Sequence, residues 1–171
     1  MTDHQTFMQE ALAEAATALS LGEFPVGCVI VHEHQVIARG RRQQSGGLPR
    51  QTVNEVDHAE VLALRDLLDQ HPEIPPSEVT VYATLEPCLM CYATLLVSGV
   101  RTIVYAYEDA MGGGTNLPLD HLKPLYRALT VSVTPHILRD ESLHLFKRFF
   151  SFCNSPYLSG TLLAEYTLAQ P

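Results

Sequence analysis

Val79-Thr80-Val81-Tyr82-Ala83-Thr84-Leu85-Glu86-Pro87-Cys88-Leu89-Met90-Cys91 decides the fold of this chain. Val79 to Thr84 alternates and is rich in β-branched residues, which predicts a strand. Glu86-Pro87 breaks it, and the apolar run from Cys88 to Ser98 predicts a buried helix. Proline suits the start of that helix, because its missing N–H would have had no partner there. Cys88 and Cys91 then share one helix face, one turn apart. The positive potential of the helix N-terminus favours thiolate over thiol.

Thirty residues before Cys88 stands His58-Ala59-Glu60. His58 opens a second predicted helix, reaching about Gln70, with Val61, Leu62, Leu64, Leu67 and Leu68 as its apolar face and Asp57 as its N-cap. Two helix starts thus bring one imidazole and two thiolates together, a donor set suited to Zn²⁺. Three protein ligands leave the fourth tetrahedral position open for water, which marks a catalytic ion rather than a structural one. Bound zinc lowers the pKa of such a water to about 7, and Glu60 is placed to carry its protons. The alternatives are a redox dithiol, since a lone C-x-x-C serves that use too, and a structural zinc site, which would want a fourth Cys or His nearby. Either half of the pattern alone is weak, and the composite favours the catalytic reading. Cys28, in a predicted strand, and Cys153, near the C-terminus, read as small buried thiols.

Working outward, Phe7 to Leu21 is predicted to be an amphipathic helix ended by Gly22. Pro25 to Val31 and Gln35 to Arg39 read as a strand hairpin, and Arg41 to Asp57 as a polar loop long enough to border a site. Further strands are expected at Arg101–Ala106 and Thr130–Thr134, and a last long helix at 140–152. Alternating helices and strands predict an α/β domain of three layers, α/β/α, around a mixed sheet of about five strands. Residues 1–171 are expected to form one domain, with 155–171 as a C-terminal extension. Gly112-Gly113-Gly114 lacks the Gly-Lys-Ser/Thr of a phosphate loop and reads as a flexible segment. His32 and His34 read as solvated turn residues, and His121, His136 and His144 have no ligand spacing. Phe146, Phe149 and Phe150 read as core ahead of a substrate stack.

The net charge of −8 lowers the expectation of a nucleic-acid surface, because phosphate neutralisation supplies most non-specific affinity. No apolar run is long enough to span a bilayer, so no membrane partner is expected. The start, Met1-Thr2-Asp3-His4-Gln5, lacks the regions of a secretory signal, and two cysteines wanted as thiolates point to a reducing cytoplasm.

On these motifs the chain resembles the cytidine/deoxycytidylate deaminase superfamily, whose zinc signature is H-x-E…P-C-x-x-C. Within it the resemblance is nearest to the bacterial tRNA adenosine deaminase and related nucleoside and guanine deaminases. It rests on Glu23-Phe24-Pro25-Val26-Gly27, His58-Ala59-Glu60, Thr84 to Cys91, Asp109 and Phe149-Phe150, and runs from about Phe7 to Phe152. It implies one zinc per chain on His58, Cys88 and Cys91, Glu60 as proton shuttle, and a homodimer or higher oligomer. It also implies substrate contacts from Phe24, Val26, Ala59, Asp109 and Phe149. Arg42 stands where related tRNA deaminases carry a substrate-holding asparagine, and Met111 where a basic residue follows Asp109-Ala110. Asn54-Glu55-Val56-Asp57 replaces the usual approach to the histidine, and the tail lacks the basic helix that helps relatives hold tRNA. The resulting expectation is a hydrolytic deaminase of a free base, nucleoside or related heterocycle. A tRNA wobble-adenosine deaminase ranks second, and a catalytically silent, zinc-stabilised binding subunit third. Glu60 argues against the last.

Overall fold

The computed structural model describes residues 3–46, 52–152 and 155–171, so Cys153 and part of the 41–57 loop lie outside the described residues. In chain order the helices and strands are α1 (Asp3–Ser20), β1 (Gly27–His32), β2 (Gln35–Arg41), α2 (Ala59–Gln70), β3 (Thr80–Leu85), α3 (Leu89–Ser98), β4 (Thr102–Tyr107), α4 (Pro124–Arg127), β5 (Ser132–Thr134), α5 (Arg139–Phe152) and α6 (Leu162–Ala169). The strands form a mixed five-stranded sheet of order β2-β1-β3-β4-β5. β1 pairs antiparallel with β2 and β3, whereas β3, β4 and β5 run parallel.

Strand periodicity divides the core between the two faces of the sheet. Val29, Val31, Tyr82 and Val104 pack against Met8 and Ala11 of α1. Cys28, Ile30, Val81 and Ile103 pack with Ala63, Leu64 and Leu67 of α2 and Leu95 and Leu96 of α3. The result is the expected three-layer α/β arrangement. Among the described residues, no helix is long and apolar enough to cross a membrane.

Four local expectations need correction. The N-cap of α2 is His58 and not Asp57, whose carboxylate instead accepts from Arg65 at 2.7 Å and from Asn54 at 2.8 Å. The last strand begins at Ser132 rather than Thr130. Gly113 and Gly114 serve close packing rather than flexibility: a Cβ on Gly113 would meet Glu86 Oε2 at 2.3 Å, and one on Gly114 the Leu89 Cα at 2.7 Å. The tail contains a helix, α6, that local sequence does not announce. Eight residues are too few to hold a helix alone. Burial of Leu163 and a 3.1 Å bond between the Tyr107 and Thr167 hydroxyls dock it against the body of the domain.

Candidate active site

β3 and β4 are parallel, and the segments leaving their carboxyl ends build the site, as is usual for open α/β sheets. After β3, Glu86-Pro87 turns the chain so that Cys88 caps α3 and Cys91 lies in its first turn. Glu86 is buried; its Oε1 accepts from the Thr115 N–H at 3.2 Å and its Oε2 from the Asp109 N–H at 3.3 Å. This carboxylate ties the loop after β4 to the start of α3. Asp109 in turn accepts from the Met111 and Gly112 N–H groups, both at 2.9 Å.

His58 Nδ1 lies 3.6 Å from Cys88 Sγ and 3.4 Å from Cys91 Sγ. Tetrahedral zinc, with Zn–S of about 2.3 Å and Zn–N of about 2.0 Å, places N and S about 3.5 Å apart. The chain therefore holds these atoms at ligand spacing, all within 4.8 Å of one another, and they fit a metal ion. Glu60 is not part of that group. Its carboxylate is 3% exposed and accepts from Cys91 Sγ at 3.5 Å, beside the ligand set.

Charge at the site follows from this proximity. The bond from Cys91 lowers the Cys88 thiol to about 4, with burial opposing and His58 reinforcing the shift. The same contact, and then burial, push Cys91 up. Burial raises the Glu60 carboxyl above its ordinary range, and the bond to Cys88 raises the His58 ring. A buried carboxyl poised upward is suited to both accepting and returning a proton.

These groups open into a cavity of about 180 Å³. Pockets that enclose drug-sized ligands run to roughly 300–1,000 Å³, so this one suits a single ring system with the rest of the molecule outside. Phe24, Val26, Arg42, Ala59 and Asp109 line it together with His58, Glu60 and Cys88. Phe149 does not: it is 1% exposed and packs edge-on against Phe24 at 5.2 Å, one layer behind the wall. Its aromatic bulk supports Phe24 instead of meeting a ligand.

Sequence reading missed Glu55, Glu86, Tyr157, Leu158 and Leu163. Glu55 and Glu86 stand beside recognised motifs, and that adjacency was the available signal. Tyr157, Leu158 and Leu163 belong to the tail and reach the cavity wall only through the fold. Arg42 is 2% exposed, so its guanidinium is part of the wall rather than a surface cation.

The chain matches the family model of the cytidine and deoxycytidylate deaminase zinc-binding region over residues 1–107, and it belongs to that family. Several relatives of known name are similar to it. It is 31% identical over 149 residues to the tRNA-specific adenosine deaminase subunit tad2 of Schizosaccharomyces pombe, covering 87% of this chain but only 37% of that protein. It is 28% identical over 151 residues to the tRNA-specific adenosine deaminase of Streptococcus pyogenes, covering 84% of this chain and 87% of the relative. A structure solved in a study of A-to-I editing by tRNA:A34 deaminases superposes with a TM-score of 0.64 at 27% identity, over 82% of this chain and 98% of that one. The layered sheet is therefore the cytidine deaminase-like fold.

Proposed function

We propose that this chain is a zinc-dependent hydrolytic deaminase that replaces the exocyclic amine of a nucleobase by a carbonyl, with adenosine in tRNA as the substrate to test first. The observation that carries the chemistry is the set of His58, Cys88 and Cys91 at ligand spacing, beside buried Glu60, in a ring-sized cavity. Zinc held by these three residues would supply Lewis-acid activation of the attacking water. Glu60 takes a proton from that water as its oxygen bonds to the amine-bearing carbon, and passes it to the adjacent ring nitrogen. It then moves the remaining hydroxyl proton to the amine, the C–N bond breaks and ammonia leaves. Phe24 and Val26 form an apolar wall for the ring, while Arg42 and Asp109 face its polar edge. Residues 1–171 act in this reading as one domain and as a homodimer in the cytoplasm.

The relatives' names support tRNA and reverse the order drawn from the net charge, Arg42, Met111 and the non-basic tail, which placed a small molecule first. A base turned out of an anticodon loop needs only a snug cavity, with sugar and phosphate left outside. A free base or nucleoside remains the second reading, favoured by the net charge of −8 and by tail residues Tyr157, Leu158 and Leu163 in the cavity wall. Ammonia release, measured side by side on an anticodon stem-loop and on free adenine, guanine and cytosine compounds, separates the two. Glu60→Ala tests the chemistry: it should keep fold and zinc while losing nearly all turnover. Loss of zinc in that variant would make Glu60 a ligand and overturn the assignment.

A further inference from the structure

We propose that Glu55 is the positioning residue of His58, and that the C-terminal segment, through Tyr157, holds Glu55 in place and so sets how firmly the site keeps its metal. This rests on the zinc reading above. His58 turns Nδ1 to the two sulfurs, and its other ring nitrogen, Nε2, lies 3.6 Å from Glu55 Oε2, an ion-pair contact slightly longer than a hydrogen bond. A ligating imidazole is oriented by an acceptor at its free ring nitrogen, and losing that acceptor typically costs about 10–100-fold in metal affinity or activity.

The same oxygen is held from two further sides. Arg42 Nη2 donates to it at 2.9 Å and the Tyr157 hydroxyl at 3.0 Å. The backbone around Glu55 is also pinned. Asn54 Oδ1 accepts from the Val56 N–H at 2.9 Å and the Asp57 N–H at 3.1 Å, an Asx turn that presents Glu55 toward the site. Tyr157 is seated in turn by its ring, 5.4 Å from Phe24 edge-on and 5.5 Å from the Arg42 guanidinium carbon. A chain of contacts thus runs from the tail through Glu55 to a metal ligand. The plainer role for Glu55 is as counter-ion to a buried guanidinium, whose loss would cost stability. Metal affinity distinguishes the two, because a counter-ion role alone leaves it unchanged.

The test uses the full chain and three variants: Glu55→Ala, Glu55→Gln and Tyr157→Phe. Zinc affinity is read by competition with a chromogenic chelator, the ligand geometry by the visible spectrum of the cobalt-substituted protein, and fold by urea unfolding of the metal-free protein. Glu55→Ala should lose about tenfold or more in zinc affinity and shift the cobalt bands. Tyr157→Phe, which keeps the ring packing, should move both in the same direction by less. Glu55→Gln keeps shape and one acceptor oxygen, and should fall between parent and Glu55→Ala. If Glu55→Ala does not fold, the other two variants decide. Affinities within about twofold of the parent and unchanged cobalt spectra in the folded variants would overturn the inference while leaving the metal reading intact. A parent chain that takes up no zinc would overturn both.

Discussion

Gly40→Ala should damage the site from the opposite side of α2. Gly40 lies in β2, opposite Cys28 of β1, and a Cβ there would stand 2.1 Å from the Ala59 carbonyl oxygen and 2.6 Å from the Ala63 nitrogen. Both are helix backbone and cannot rotate away. Relieving the first contact to even 3.0 Å requires a movement of about 0.9 Å between β2 and the first turn of α2. Ala59 sits between His58 and Glu60, so the shift acts on the proposed metal ligand and the proposed proton carrier together. Misplacement by about 1 Å can cost about 100-fold in rate, and that is the expected loss of turnover. Overpacking of this kind also costs about 1–3 kcal/mol, which for a chain of this size lowers Tm by about 2–12 °C. Gly27→Ala is the matched control. Its Cβ would meet Ala11 O at 2.2 Å and Ala15 N at 2.5 Å, the same clash against α1, which carries none of the proposed ligands. Thermal melts, zinc content after dialysis against a chelator, and ammonia release should separate the pair. Both variants should melt lower, and only Gly40→Ala should lose turnover by orders of magnitude. Equal loss of turnover in the two, or parental zinc content and turnover in Gly40→Ala, would refute the argument.

Three further outcomes are expected. Cys91→Ser should lose metal and thermal stability together, because binding free energy is partly folding free energy; full zinc occupancy by elemental analysis would contradict the ligand assignment. Phe149→Leu should lower the urea midpoint yet leave KM at the parental value, since the ring is packed behind Phe24; a raised KM with unchanged stability would restore it as a substrate contact. Burial alone would raise the Glu108 carboxyl, but hydrogen bonds from Arg139 and Tyr166 overcome it and hold the group at about 2. Between its ordinary value of 4.5 and about 2 the unfolded chain binds more protons than the folded one. The ion pair's contribution is therefore complete above about 4.5 and is lost as pH falls toward 2. Urea midpoints measured across that window should fall less steeply in Glu108→Gln than in the parent, and parallel curves would refute the assignment.

The site's chemistry was readable along the chain because its parts are local. Cys88 and Cys91 are one helical turn apart, Glu60 follows His58 by two residues, and a proline marks where α3 begins. The strands were readable from short, mostly apolar or β-branched runs, and β1 and β3 are buried along nearly their whole length, as strands covered on both faces are. The meeting of His58 with the two cysteines was expected from two helix starts and from the zinc signature that the chain resembles.

What the sequence alone determined is the zinc-binding family motif and the layered α/β class, and it singled out the proposed ligands and proton carrier by spacing within one or two elements. The tertiary structure decided the cavity wall. Tyr157 stands 102 positions from Glu55 in the chain, yet their side chains meet at 3.0 Å. Nothing in the tail's own residues announces that contact, because α6 is too short to form without the surface it docks on. Phe149 left the substrate side for the same reason: an apolar pattern reports that a ring is buried, but only the packing says which ring is in front.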